Sequence, residues 1–358
     1  MRYILIITLV AVGILSAATM DFLNLKTDSD VVKIGALLCL TGSCAEWGQA
    51  SLKGLKLAAE QINFQGGINN KKIELYVEDS QEAKGPSFTI SGYRRLRAES
   101  VYLIIGPTWS PAGLAIAPIA AKDSVIMISA SLGVREFNEY ADNLFNLWPH
   151  DEIATKKLAQ YAKESSYSRV AIFSSQQEWE ETQGLVFKNE FERLGGQIIA
   201  YETPLQTVTD LRAEALRIIK TKPDAVLFSN FAQMAIASKE LAKLGYTKPQ
   251  LAVLMDETRI KASNGTLQDT VYVTYSPATE GFQEDFEEKF NELPKAYAST
   301  AYDALILISQ VGNKSLSVKY QEILKALNQV ESFSGASGEL SFDKLGGIGK
   351  QAVLEKVL

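Results

Sequence analysis

Three of the four tryptophans, Trp47, Trp109 and Trp179, fall just after apolar runs that read as strands. A lone tryptophan is ordinarily core. Three in loops at strand carboxyl ends, facing one crevice, would make an aromatic wall for an apolar or planar ligand body, the alternative being that one or two of them cover the lobe cores. Ser110 followed by Pro111 reads as a helix start, with serine as N-cap and proline in the first turn. The helix dipole and free N–H groups there suit an acid group, although Ser110 capping only its own helix explains the pair equally well. Ser129-Ala130-Ser131-Leu132-Gly133 forms a loop after the next strand, and Phe231 sits in another. Asp256 and Glu257 follow a later strand, placed to pair with a cation. One end for an acid, one for a cation and aromatic walls between them describe capture of a small solute.

Other chemistries lack their residues. Net charge is −6 and the pI near 5.2, which argues against nucleic acid as a partner. The single histidine, His150, stands beside Pro149 at a break and reads as structural, so neither a zinc site nor a catalytic triad is expected. The first strand is followed by Leu40-Thr41-Gly42-Ser43-Cys44, with one glycine where a dinucleotide turn needs three. Gly346-Gly347-Ile348-Gly349-Lys350 lacks the spacing and the following hydroxyl of a phosphate loop. No Gly-x-Ser-x-Gly elbow occurs. The chain reads as a binding protein without cofactor, not an enzyme. Cys39 and Cys44 flank the first loop; a bridge and two buried thiols are both compatible with that spacing.

The elements that must position these residues alternate along the chain. Val31–Leu40 is a buried strand, Leu52 to Ile62 recur at helical spacing, Gly66-Gly67 stops the helix, and Lys72–Val77 is the next strand. This is a β-α-β unit, whose parallel strands present a ligand crevice at their carboxyl ends. Strands at Val101–Ile105, Val125–Ile128 and Leu144–Trp148 continue it. Pro149-His150-Asp151 breaks the pattern, with Asp151 placed to cap a helix over Glu152–Ser165. A second half repeats the alternation, with strands at Arg169–Phe173 and Ile198–Tyr201, Pro223–Phe228 leading into another, and strands at Leu251–Met255, Val271–Tyr275 and Gln351–Val357. Trp179 falls in a polar loop, Ser174–Thr182, before a helix from Leu185. Gly195-Gly196 repeats the earlier glycine stop at the same place in this half. The fold class is α/β, with two similar parallel lobes, as 358 residues allow.

The amino terminus has Arg2, an apolar run over Tyr3–Leu15, and Ser16-Ala17-Ala18. Residues 1–18 read as a secretory signal or, uncleaved, as an anchor, and residues 19–30 as a flexible leader. The expected location is extracytoplasmic.

Ordered pieces then carry a resemblance. They are Ile34-Gly35 with Thr41-Gly42, Trp47-Gly48-Gln49, Gly54-Leu55 through Gly66-Gly67-Ile68-Asn69, and Glu78-Asp79-Ser80. Ile104-Ile105-Gly106-Pro107, Ile128-Ser129-Ala130-Ser131, Ala301-Tyr302-Asp303-Ala304 and Gly338 to Asp343 follow. The chain resembles the branched-chain amino-acid type of class I periplasmic solute-binding proteins, which feed ABC transporters. The resemblance implies two Rossmann-like lobes joined by three hinge crossings, near residues 148, 276 and 333. Lobe one would be 31–148 plus 277–333, and lobe two 149–276 plus 334–358. It also implies an amino-acid-like ligand captured by hinge closure and delivered to a membrane permease; a ligand-sensing subunit on the same fold is the alternative. Ligand contacts would fall on Trp47, Trp109, Ser110, Ala130, Ser131 and Gly133 of lobe one, and Trp179, Phe231 and Asp256 of lobe two. The threonine that commonly holds the ligand's amino group would fall at Gly133, a departure from the pattern.

Overall fold

Side-chain alternation builds the first sheet. The computed structural model describes residues 31–358; the expected signal or anchor and the leader lie outside them. In β1 (Val31–Leu38), Val32, Ile34, Ala36 and Leu38 join one core and Leu37 the opposite one. Helix α1 (Ala45–Phe64) returns the chain to β2 (Lys72–Asp79), and α2 (Pro86–Ala98) leads to β3 (Leu103–Ile105). α3 (Ser110–Ala120), β4 (Ile126–Ser129) and β5 (Leu144–Asn146) complete a five-stranded parallel sheet in the order β2-β1-β3-β4-β5. Both faces are covered, as an all-parallel sheet requires.

α4 (Asp151–Glu164) opens the second half. β6 (Arg169–Phe173), α5 (Glu178–Arg193), β7 (Gln197–Glu202), α6 (Arg212–Lys220), β8 (Ala225–Phe228) and α7 (Met234–Lys243) follow. β9 (Gln250–Ala252), α8 (Glu257–Ser263) and β10 (Val271–Tyr275) come next. The chain then adds α9 (Glu280–Phe290), α10 (Ala298–Ser315) and α11 (Tyr320–Leu327), with α10 packed along α1. An antiparallel sheet of β11 (Ser332–Gly335), β12 (Gly338–Phe342) and β13 (Ile348–Gly349) packs Phe333, Leu340 and Ile348 into the first core. β14 (Ala352–Lys356) finally joins the second sheet, antiparallel to β10, in the order β14-β10-β9-β8-β6-β7.

Several local expectations shift. Asp151 does not cap α4: the N-cap is His150, and the Asp151 side chain is engaged elsewhere. Ser110 is not a cap either but the first residue of α3, after Trp109. Trp179 belongs to the first turn of α5, because Gln177 caps that helix by accepting from Glu180 N–H at 3.0 Å. Cys39 and Cys44 are disulfide-bonded, their Cα atoms 5.8 Å apart and within the usual bridging range. His150 is buried, its Nε2 2.9 Å from Asn138 Oδ1. Among the described residues, no helix is long and apolar enough to cross a membrane, and no group of three or more His, Cys, Asp or Glu is placed to hold a metal.

Candidate functional site

The segments that follow eight of the parallel strands, β1 and β3 to β9, meet at one place. A cavity of about 170 Å³ is lined by Trp47 after β1, Thr108 to Pro111 after β3, Ser131 and Gly133 after β4, and Asp151 after β5. From the other half come Gln177, Trp179 and Glu180 after β6, Gln206 after β7, Phe231 and Ala232 after β8, and Leu254 and Arg259 after β9. Strand carboxyl ends of two α/β sheets thus converge on a single pocket, where such sheets bind ligands. A void of roughly this size holds one benzene-sized molecule.

The loop after β3 is fixed by backbone geometry. Gly106 has φ +127°, and a Cβ there would lie 2.0 Å from Leu37 O, so only glycine lets the loop pass β1. Buried Glu82 then accepts from Thr108 N–H at 2.9 Å, Trp109 N–H at 2.5 Å and the Ser80 hydroxyl at 2.7 Å. The protein's own carboxylate therefore occupies part of the loop expected to hold a ligand's acid group. The Ser131 hydroxyl donates to Thr108 O at 2.8 Å, tying the β3 and β4 loops together.

The aromatic residues form a chain of contacts around the cavity. Trp47 lies 5.9 Å from Trp109, 5.9 Å from Phe231 and 6.5 Å from Tyr297, centroid to centroid. Phe231 meets Trp179 edge to face at 6.4 Å, and Tyr297 meets Trp148 at 4.7 Å. Asp151 closes the circuit: its Oδ1 accepts from Trp148 Nε1–H and its Oδ2 from Trp179 Nε1–H, both at 2.8 Å. A Cβ at residue 133 would lie 1.7 Å from Asp151 Oδ2, so the missing side chain of Gly133 is the room the carboxylate fills.

Charge in the wall is unevenly balanced. Arg259 pairs with Asp256 at 2.6 Å and lays its guanidinium 4.1 Å from the Phe231 centroid. Asp256 also caps α8, accepting from Arg259 N–H at 2.8 Å. Burial raises the Glu180 carboxyl above its ordinary range, opposed by hydrogen bonds from Ala232 N–H, Ser175 and Gln206. Burial pushes Asp151 up to about 6, against the two indole hydrogen bonds. No ion pair to Asp151 forms among the described residues.

Most of the residues named from sequence therefore meet. Trp47, Trp109, Ser110, Ser131, Gly133, Trp179 and Phe231 line the cavity. Ala130 does not: it is buried in the first core, and its carbonyl accepts from the Thr300 hydroxyl at 2.7 Å. Asp256 stands behind Arg259 and outside the lining. Sequence reasoning missed Asp151, Glu82, Glu180, Arg259 and Tyr297. Only Asp151 carries a signal, its position directly after a strand, and the same position suits a helix cap.

Buried acids make the unliganded protein pH-sensitive. Glu82 is pushed up to about 7 by burial, opposed by its hydrogen bonds, while Asp151 reaches about 6 and Glu180 and Asp303 are also raised. Carboxyls raised in the folded state bind more protons there than in the unfolded chain, so stability falls as pH rises from about 4 to 7. His150, held low by burial, opposes this, as do the Asp79, Glu190, Asp210 and Glu257 carboxyls, which lie below their ordinary range and act mainly at the acid end of that window. The melting temperature is expected to be higher at pH 5 than at pH 7.5 at constant ionic strength; a lower value at pH 5 would contradict this balance.

The family model of the periplasmic binding protein matches residues 31–353. Leu/Ile/Val-binding protein homolog 1 of Brucella suis is 22% identical over 333 residues, covering 88% of this chain and 87% of that one. A leucine binding protein of Thermotoga maritima superposes with a TM-score of 0.83 at 24% identity, over 91% of this chain and 95% of that one. A solute binding protein of an ABC transporter from Rhodopseudomonas palustris, in complex with 3,4-dihydroxybenzoic acid, gives 0.79 at 21% identity, over 92% and 93%. The two structures establish a shared fold. With the first sheet, the second sheet up to Val353 and the convergent crevice inside the matched segment, the chain belongs to the periplasmic binding protein family.

Proposed function

We propose that the chain is an extracytoplasmic solute-binding protein that captures one small molecule in the aromatic cavity and delivers it to the permease of an ABC transporter. The observation that carries this reading is the cavity itself, walled by Trp47, Trp109, Trp179, Phe231 and Tyr297 at the carboxyl ends of both sheets. The solved relatives named above, with an amino acid in the name of one and an aromatic acid bound in another, set the size class. The residues around the cavity bind and orient; none is assigned a catalytic role.

In this reading the two sheets are the cores of two lobes that close on the solute. The passages between them fall near residues 148 and 276 and, because Leu340 and Ile348 pack in the first core, near 350 rather than 333. The amino-terminal segment serves export, cut or retained as an anchor.

Tryptophan emission and melting temperature, followed against aliphatic and aromatic amino acids, small aromatic acids, amines and short amides, test the proposal. A bound solute stabilises by about 2.7 kcal/mol at a hundred times its Kd. For a chain of this size that is a rise of roughly 5 °C, accompanied by a saturable emission change. Constant emission and melting temperature across the panel would count against solute capture.

A further inference from the structure

Asp151 is a carboxylate with no side-chain cation, set in the wall of the binding cavity. Each of its oxygens accepts one indole N–H, from Trp148 and Trp179 at 2.8 Å. An ionised carboxylate has about four acceptor positions, so roughly two remain for a donor inside the cavity. Elsewhere in the wall the charges have partners: Glu180, the other carboxylate in the lining, accepts from Ala232 N–H, Gln206 and the Ser175 hydroxyl. Arg259, the one cation in the lining, is paired with Asp256 at 2.6 Å. The Thr108 and Trp109 N–H groups, which would otherwise receive an anion, are held by Glu82. The rings of Trp47, Trp179, Phe231 and Tyr297 stand among neutral Ser43, Ser110, Gln177 and Gln206, and ring faces attract cations within about 6 Å of the centroid. Arg259 itself sits 4.1 Å from Phe231, so these faces already accept a positive group.

We propose that the ligand is anchored by an ammonium group, primary or methylated, placed against Asp151 within the rings of Trp47, Trp179, Phe231 and Tyr297, and that a ligand carboxylate is dispensable. This rests on the solute-capture reading and narrows it. A buried carboxylate facing an apolar cavity is costly unless a charged partner arrives, so binding a cation relieves a defect of the empty site. A simple aromatic or aliphatic acid brings a second negative charge to the same place.

The test compares matched probes by calorimetry on the full-length chain: leucine, 3-methylbutylamine, which keeps the ammonium alone, and 4-methylpentanoate, which keeps the carboxylate alone. Choline supplies a methylated ammonium and benzoate a planar acid. At pH 7.5 at least one ammonium compound is expected to bind, and 4-methylpentanoate to bind about 100-fold more weakly than its amine partner. Asp151→Asn keeps the shape and one indole bond, and is expected to weaken the ammonium ligand by at least about 30-fold. The matched pair on the unaltered protein decides the matter even if that variant does not fold. An acid binding as tightly as its amine, or Asp151→Asn within about threefold of the parent, overturns the ammonium anchor. If the acids alone bind, and Trp47→Ala abolishes that binding, solute capture stands while this inference falls. If no probe binds, both fall.

Discussion

Gly133→Thr is expected to lower ligand affinity by at least about 100-fold and to destabilise the protein by about 2–4 kcal/mol. The reason is local and steric. A Cβ at 133 would lie 1.7 Å from Asp151 Oδ2, 2.4 Å from its Cγ and 3.2 Å from its Cβ, so the whole carboxylate must leave. The two residues cannot simply separate, because Asp151 N–H donates to Gly133 O at 3.0 Å. Once the carboxylate moves, the Trp148 and Trp179 indoles both lose their acceptor. Each buried, unsatisfied N–H costs about 1–3 kcal/mol. Urea unfolding measures the stability term and calorimetry the affinity. Gly133→Ala introduces the same Cβ and is expected to reproduce most of the loss. Pairing it with Asp151→Gly should recover part of the stability, since the two sites are directly coupled. A Gly133→Ala protein within about 0.5 kcal/mol of the parent would show that Asp151 does not occupy this space.

Glu82→Ala is expected to cost about 3–5 kcal/mol. Its carboxylate is the shared acceptor for the Thr108 and Trp109 N–H groups and the Ser80 hydroxyl, and the residue is 6% exposed. Alanine leaves three donors unsatisfied and opens a void beneath the loop that carries Trp109. Glu82→Gln retains one acceptor but turns an amide N–H toward a donor, so about half that loss is expected. Because burial raises the Glu82 carboxyl to about 7, the parent keeps this acid charged only at some cost near neutral pH. The measured difference between parent and Glu82→Ala should therefore be larger at pH 5.5 than at pH 8. Urea midpoints for the three proteins at both pH values check this; a Glu82→Ala loss below about 1 kcal/mol would contradict the assigned role.

The α/β alternation was legible because parallel strands buried on both faces write themselves as apolar runs. Arg169–Phe173 and Val271–Tyr275 coincide with their observed limits. The helix α8 was not legible: seven residues with one acidic and two basic side chains around Ile260 give no apolar stripe, and only its Asp256 cap could have revealed it. The sheet of β11, β12 and β13 leaves no clear alternation in the sequence because its strands are short and rich in glycine and serine. Within the site, Trp47, Trp109, Trp179 and Phe231 were legible from their place after strands, whereas Tyr297, ahead of α10, was not. The ionised ones were not, since whether a carboxylate caps a helix or faces a cavity depends on distant groups. Asp151 takes its position from Trp148, Trp179 and the absent side chain of Gly133, three separate stretches of chain. Ala130 failed for the opposite reason. Its loop position suited a ligand, yet its carbonyl is committed to Thr300 at the start of α10.

The most direct test is a crystal structure of the protein with whichever probe binds most tightly in the calorimetric series. The result expected is one molecule between Trp47, Trp179 and Phe231, its polar end within hydrogen-bond distance of Asp151. A probe seated elsewhere with that cavity unfilled would contradict solute capture at the meeting point of the two sheets.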